Sequence, residues 1–405
     1  MTEILAPLRG RDARAPSQLF LFLILLLFSR PVYALASGEP LQNNAYQIDL
    51  TRTVVTGSTR KIALGGAFTG IAEGVAAIPD NPAAVAYRPR AFMNPLELDM
   101  VLSTLATGDD DADNSGTQSL VYGNQALMDL GLMAQYQNWG VGFEAQMAVF
   151  QSENLPQNQE AQLMSGSFAT GYTTDDRTIA VGLSLDPIGA RVHPMDDHSP
   201  RSFKLRGIGY GAGVLFHPGR GAWRFGAAYN SAVSSDERLV VAGTEPVKVG
   251  NLIVPEGVWQ TDILSLGLAH ETNSFWGWRG HPGLASGDIR FFGRSPSNAQ
   301  GSAAFVTQTV RPVGQKLIAT LHGGLEAEVV PGRLRLRAGT YREPSRYEGI
   351  SARQHITGGF EIRLFPIPYV TRDASLSYAV DYTSRYQVYS LSLWLWSFAV
   401  PVPNQ

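Results

Sequence analysis

The sequence predicts an all-β protein: a transmembrane antiparallel β-barrel of about 14 strands with an N-terminal plug, or hatch, segment. Three observations carry that expectation. From Leu96 onward, apolar and polar residues alternate with period two; the connections between the alternating segments switch between long and short; and the N-terminus has the layout of an export signal.

Taken in chain order, the N-terminus comes first. Arg9, Arg11 and Arg14 precede an unbroken apolar run, Leu19 to Phe28, and Ala34-Leu35-Ala36 supplies a small-residue cleavage site. The run is about half the ~20 residues a spanning helix needs, so residues 1–36 are expected to be a cleavable signal peptide rather than an anchor. Its removal leaves 28 basic against 33 acidic residues, a net charge of −5. That balance gives neither a basic footprint for nucleic acid nor a polybasic membrane anchor. Cysteine is absent, which excludes a disulfide framework and a thiolate metal site.

Residues 37–95 do not alternate and are expected to form a hatch that fills the lumen, the alternative being a periplasmic leader with one capped turn; 96–398 form the expected barrel. Fourteen segments alternate: 96–104, 129–137, 141–149, 163–172, 178–185, 207–216, 222–230, 262–270, 287–293, 317–329, 333–341, 355–364, 373–382 and 388–396. Leu376, Tyr378, Val380 and Tyr382 fall on one face of the thirteenth, with Ser375, Ser377, Ala379 and Asp381 on the other. A soluble sandwich shows the same alternation. Strand length near that of a tilted membrane strand, an even count and the long–short rhythm favour a barrel with apolar residues facing lipid. The connection 271–286 is longer than that rhythm allows.

Around Pro331-Gly332, pairing Val330 with Arg333 sets Glu328 opposite Arg335 and Glu326 opposite Arg337. An arginine facing lipid near the midplane costs about 2–4 kcal/mol, so these four charges are expected to point into the lumen. Trp139, Trp259, Trp276, Trp278, Trp394 and Trp396 lie near segment ends and suit an interfacial girdle. Phe292 and Ile318 are candidate apolar lumen residues.

Inside the hatch, Asn81 is a helix-capping residue and Pro82 takes the first helical position, where its missing N–H costs nothing. Gly65 and Gly66 permit a tight turn. The stretch RKIALGGAFTGIAEGVAAIPDNPAAVA, Arg60 to Ala86, resembles the N-terminal signature of FadL-type outer-membrane transport proteins and the related PorV/PorQ-like barrels. The matching positions are Gly65, Gly66, Phe68, Asn81, Pro82 and Ala83. VPEGVWQTDILSLGLAHE, HGGLEAEVVPGRLRLRAGTYREPS and RQHITGGFEIRLF resemble the same family's strands. The resemblance implies a bacterial outer-membrane location and a hatch whose movement opens a passive path for small hydrophobic molecules, long-chain fatty-acid-like, with no cofactor. The PorV-like branch implies instead a barrel that partners secreted or envelope proteins, here through the long loops 231–261 and 294–316. Either way the surroundings are outer-membrane lipids.

Other motifs carry less. Gly207, Gly209, Gly211 and Gly213 lie two apart with no helix following, which suits one face of a thin barrel wall rather than a nucleotide loop. Asp111 and Asp113 imitate a calcium loop, but Tyr122 stands where its bidentate Glu belongs. HPMDDH, His193 to His198, has metal-ligand types without a defined geometry. No Ser/His/Asp arrangement or metal set emerges, so the sequence points to a non-enzyme with no catalytic residues.

Overall fold

The computed structural model describes residues 38–87, 96–107, 111–116, 124–152, 159–194, 203–218, 221–235, 248–249, 252–275, 277–364 and 371–398. The expected signal peptide and most of HPMDDH lie outside these residues, as does Trp276.

Fourteen strands close into one antiparallel barrel: β1 (Leu96–Thr107), β2 (Asn124–Tyr136), β3 (Trp139–Ser152), β4 (Gln159–Thr173), β5 (Ile179–Pro194), β6 (Phe203–Phe216), β7 (Trp223–Asn230), β8 (Ile263–Phe275), β9 (Trp278–Phe292), β10 (Ile318–Val330), β11 (Leu334–Glu343), β12 (Arg353–Arg363), β13 (Thr371–Thr383) and β14 (Tyr386–Phe398). Each pairs with its chain neighbours, and β1 closes on β14. Closure lets ladder hydrogen bonds satisfy most wall N–H and C=O groups without water, although β6 pairs with β7 only over Gly211–Phe216.

The alternation has the inverted sense of a membrane barrel. Leu183, Leu185, Ile208 and Leu321 are 63%, 59%, 72% and 58% exposed on the outside. Asp99, Asp129, Glu144, Asp288, Glu326 and Glu361 are buried on the inside. Tyr136, Trp139 and Trp223 stand exposed at the short-turn end, and the Trp139 ring lies 5.0 Å from that of Tyr172.

Each of the fourteen expected segments falls within a strand or overlaps one closely. The long connection 271–286 is corrected: β8 runs on to Phe275 and β9 starts at Trp278, its register partner. The pairing of Val330 with Arg333 is also corrected. A bulge between Glu328 and Val330 pairs Val330 with Leu334, while Glu326–Arg337 and Glu328–Arg335 keep the expected register. Trp259 lies in a short loop strand rather than a girdle, beside Asp49. Trp394 and Trp396 are corrected as well, since they share the inner face with Ser390 and Ser392 and press on Gly74.

The chain before the barrel divides in two. At the long-loop end, Gln47–Asp49 runs parallel between Gly257–Trp259 and Ala299–Gln300, with Val233–Ser234 beyond. Tyr46 Oη donates to Ile253 O at 2.6 Å, and Gln308, the left-handed C-cap of helix α1 (Ser302–Thr307), accepts Ile253 N at 2.8 Å. Leu41, Tyr46, Ile48, Val254, Val258 and Phe305 pack with Ile188, Ala190 and Leu205 of the wall. Residues 59–87 then descend through the barrel, and Tyr87 reaches His217 beside the short turns at 3.1 Å.

Candidate functional site

From Gly57 to Tyr87 every residue is buried except Glu73 and Pro79, which are half-buried. Helix Thr59–Ala63 begins at Ser58, whose Oγ accepts Lys61 N, and three 3-10 turns follow at Thr69–Ile71, Val75–Ala77 and Pro82–Val85. Such short pieces bury small side chains without needing a long helix's diameter. Together they touch every strand of the barrel.

The sequence explains how they fit. Ala63, Ala67, Ala72, Ala76, Ala77, Ala83 and Ala84 are nearly or fully buried and present little bulk. The wall answers with glycines: a Cβ on Gly140 would lie 1.8 Å from Val85 O, on Gly182 2.3 Å from Pro82 O, and on Gly226 2.1 Å from Thr69 O. Gly213 meets Asn81 Oδ1 at 2.0 Å on the same test, while Gly207 and Gly209 face Val233. The glycine ladder of β6 is therefore a thinned inner wall.

Buried backbone groups of this segment need partners, since water is excluded. Asp288 Oδ2 accepts Phe68 N at 2.8 Å and Thr69 N at 2.7 Å. Asp99 Oδ2 accepts Val75 N at 2.7 Å, and Gln135 Nε2 donates to Val85 O at 2.6 Å. The turn at Gly65 and Gly66, with φ of 60° and 77°, presents Gly65 O to His322 Nδ1 at 2.7 Å. Asn81 Oδ1 accepts Ala83 N at 3.1 Å, and its Nδ2 donates to Val214 O at 3.1 Å. Pro82 and Ala83 follow as the first buried residues of that turn. Asn81→Ala is expected to cost about 1 kcal/mol as a lost cap. Asn81→Asp keeps the cap acceptor but loses the Nδ2 donor and sets a buried carboxylate against Val214 O, so its thermal midpoint in detergent should also fall below that of the wild type.

Charge ties the segment to the wall more strongly. Arg60 Nε lies 3.0 Å from Glu326 Oε2, and Arg337 Nε lies 2.6 Å from the same oxygen. Arg60 also pairs with Glu73, and Arg337 with Glu361. Glu328 and Arg335 stand 3.5 Å apart nearer the short turns. Phe68 lies under the Arg60 guanidinium, 5.7 Å from ring centre to Cζ. On the other side Lys61 meets Asp80 at 2.8 Å, and Arg290 meets Asp80 at 3.1 Å. Sequence reasoning placed Glu326, Glu328, Arg335 and Arg337 in register. It missed Arg60, Glu73, Asp80, Asp99, Gln135 and Asp288, whose partners are remote in sequence.

Above the segment lies a cavity of about 210 Å³. Lys61, Pro79 and Asp80 form part of its lining, with Leu50, Val54, Leu163, Met164, Val233 and Phe292 among the apolar residues and Glu144, Asp186 and Arg290 among the charged ones. Ile318 pairs with Phe292 in register. Along this wall the ladder between β4 and β5 is interrupted: pairing stops at Ser165–Ile188 and resumes at Phe168–Leu185. Pro187 has no N–H to offer there, and Asp186 instead accepts Ser167 Oγ at 2.5 Å. On the far side of the descending chain, His355 sits between Asp381 and Glu343 at 2.8 and 3.0 Å, and Glu343 also holds Thr53.

The acidic loop closes on itself. Asp111 accepts Ser115 N at 2.7 Å and Gly116 N at 3.0 Å, and Tyr347 Oη donates to Asp113 at 2.6 Å. Burial, with Asp113 adding to it, pushes the Asp111 carboxyl up to about 6. These carboxylates hold the loop's backbone and tie it to Tyr347.

No protein-family model and no curated protein sequence matches the chain. Solved structures do. A Pseudomonas aeruginosa FadL homologue superimposes with a TM-score of 0.55 at 13% identity, covering 85% of this chain and 99% of that one. The CymD monoaromatic hydrocarbon channel gives 0.54 at 13%, covering 85% and 98%. The Ralstonia pickettii toluene transporter TbuX gives 0.52 at 14%, covering 85% and 98%. The chain has the FadL-type barrel fold over most of its length.

Proposed function

We propose that this chain is a bacterial outer-membrane channel for small hydrophobic molecules, in which residues 59–87 are the hatch that plugs the lumen. One observation carries the reading: a buried segment of small residues touches every barrel strand and separates a cavity from the short-turn end. A solute in that cavity rests on Lys61, Pro79 and Asp80, so passage requires the hatch to shift. The mechanism is diffusion down a gradient with no cofactor. Gly65, Gly66, Phe68, Asn81, Pro82 and Ala83 shape the hatch, and Glu326 and Arg337 anchor it. Because neighbours of this fold are named for hydrocarbon and toluene transport, aromatic hydrocarbons are solutes to test beside long-chain fatty acids.

Uptake of radiolabelled toluene and of oleate into proteoliposomes tests the reading. Faster entry of either probe than into protein-free vesicles is expected, and entry at the protein-free rate for both would overturn it. In that case a PorV-like role as a partner of envelope proteins becomes the reading to pursue.

Orientation has its own test. Short turns face the periplasm in such barrels, so Gln42, exposed at the long-loop end, should face outward. In this cysteine-free chain, Gln42→Cys is expected to react with an impermeant maleimide on intact cells. Arg333→Cys, exposed beside the short turn, should react only after the envelope is opened. The reverse pattern would invert the topology.

A further inference from the structure

Among the described residues, the outside of the wall carries a cluster of charge that the channel reading does not use. Arg191 of β5 and Lys204 of β6 are register partners, and Arg206 stands one diagonal away, opposite Gly189. All three are exposed on the outer face at the long-loop end. None of them takes part in an ion pair or hydrogen bond with another described residue. The described acidic side chain on β4 to β6, Asp186, lines the cavity on the inner side. Like charges directly opposite one another destabilise a strand pair, and none of the described side chains on these strands pairs with the three cations.

What lies beneath the cluster indicates what supplies it. On β5 the outer stripe runs Val181, Leu183 and Leu185, at 47%, 63% and 59% exposure, then Pro187 and Gly189, before it reaches Arg191. On β6, Ile208 and Tyr210 are 72% and 62% exposed directly below Arg206. An apolar stripe capped by three cations matches a lipid lying against the wall, with its acyl chains on the leucines and an anionic headgroup above them. Gln162, the register partner of Arg191 on β4, extends the polar row.

We propose that Arg191, Lys204 and Arg206 form a binding site for the phosphorylated headgroup of an outer-leaflet lipid. Guanidinium groups suit phosphate because their N–H donors can engage two of its oxygens together. The lipid would shield the repulsion across β5 and β6 and clamp the strand that borders the interrupted ladder at Pro187.

The inference rests on the membrane reading of the barrel, and the two can fail separately. Purified protein that does not co-float with neutral phosphatidylcholine vesicles fails the membrane reading first. For protein that does, binding of lipid A, of dephosphorylated lipid A and of inorganic phosphate is measured in detergent by native mass spectrometry. Each surface cation contributes about fivefold in affinity for an anionic lipid, so replacing all three residues with glutamine should weaken lipid A binding roughly a hundredfold. Heat-modifiable mobility on gels confirms that the variant still forms a barrel. Arg191→Lys with Arg206→Lys keeps the charge and should retain most of the binding. Dephosphorylated lipid A should bind the wild-type chain as weakly as lipid A binds the triple variant, and inorganic phosphate should not compete at equal concentration. Equal lipid A binding by wild type and triple variant would overturn the proposal. So would equal binding of the two lipids, or competition by free phosphate at matched concentration.

Discussion

Replacing Glu326 with alanine is expected to destabilise the protein by about 3–5 kcal/mol, because two buried cations lose a shared partner. The Arg337 side chain is fully buried and that of Arg60 is 7% exposed, so water does not replace the carboxylate. Arg60 keeps Glu73 and Arg337 keeps Glu361, but each of those acids serves another cation too. Urea unfolding of the refolded barrel in detergent should show the loss. Combining Glu326→Leu with Arg60→Met removes the unpaired hatch cation together with the acid and should recover part of it. An unchanged midpoint for Glu326→Ala would mean that the network does not fasten the hatch.

The second large effect concerns packing. In Gly182→Val, the new Cβ meets Pro82 O, Pro82 C and Ala83 N at 2.3, 2.4 and 2.5 Å. All three are backbone atoms, so no rotamer change relieves the overlap, and the turn following Asn81 must move inward. Overpacking of this kind costs about 1–3 kcal/mol, and here it should also unseat the hatch. Limited proteolysis is expected to cut within 59–87 in the variant and not in the wild type. Gly323→Ala, where a Cβ meets nothing within 4 Å, is the matched control and should behave as wild type. Protection of 59–87 in Gly182→Val would contradict the close approach.

Much of the wall was legible because lipid-facing alternation is local: each strand declares its outer face within a few residues. Legibility failed where local composition misled. Glu271 to Ser274 and Gly280 to Gly283 read as loop, yet they extend β8 and β9 near the short-turn end, where water accepts polar side chains. Asp186-Pro187 similarly hid the upper half of β5. Tryptophan alone does not reveal which face it takes, so Trp394 and Trp396 were assigned to the girdle although they line the lumen against Gly74. The buried segment 59–87, proposed above as the hatch, was marked in the sequence by small residues around Asn81 and Pro82. Its anchoring was not, because Arg60 finds Glu326 across 266 positions and Asp288 finds Phe68 across 220. The strand Gln47–Asp49 is three residues long and pairs with partners more than 200 positions away, beyond any local pattern.

If residues 59–87 close the lumen as proposed, planar-bilayer conductance of the full chain should differ sharply from that of a chain lacking 63–86. The wild type is expected to be nearly silent, and the deletion variant to migrate still as a heat-modifiable barrel but conduct ions steadily. Equal conductance from two folded proteins would contradict it.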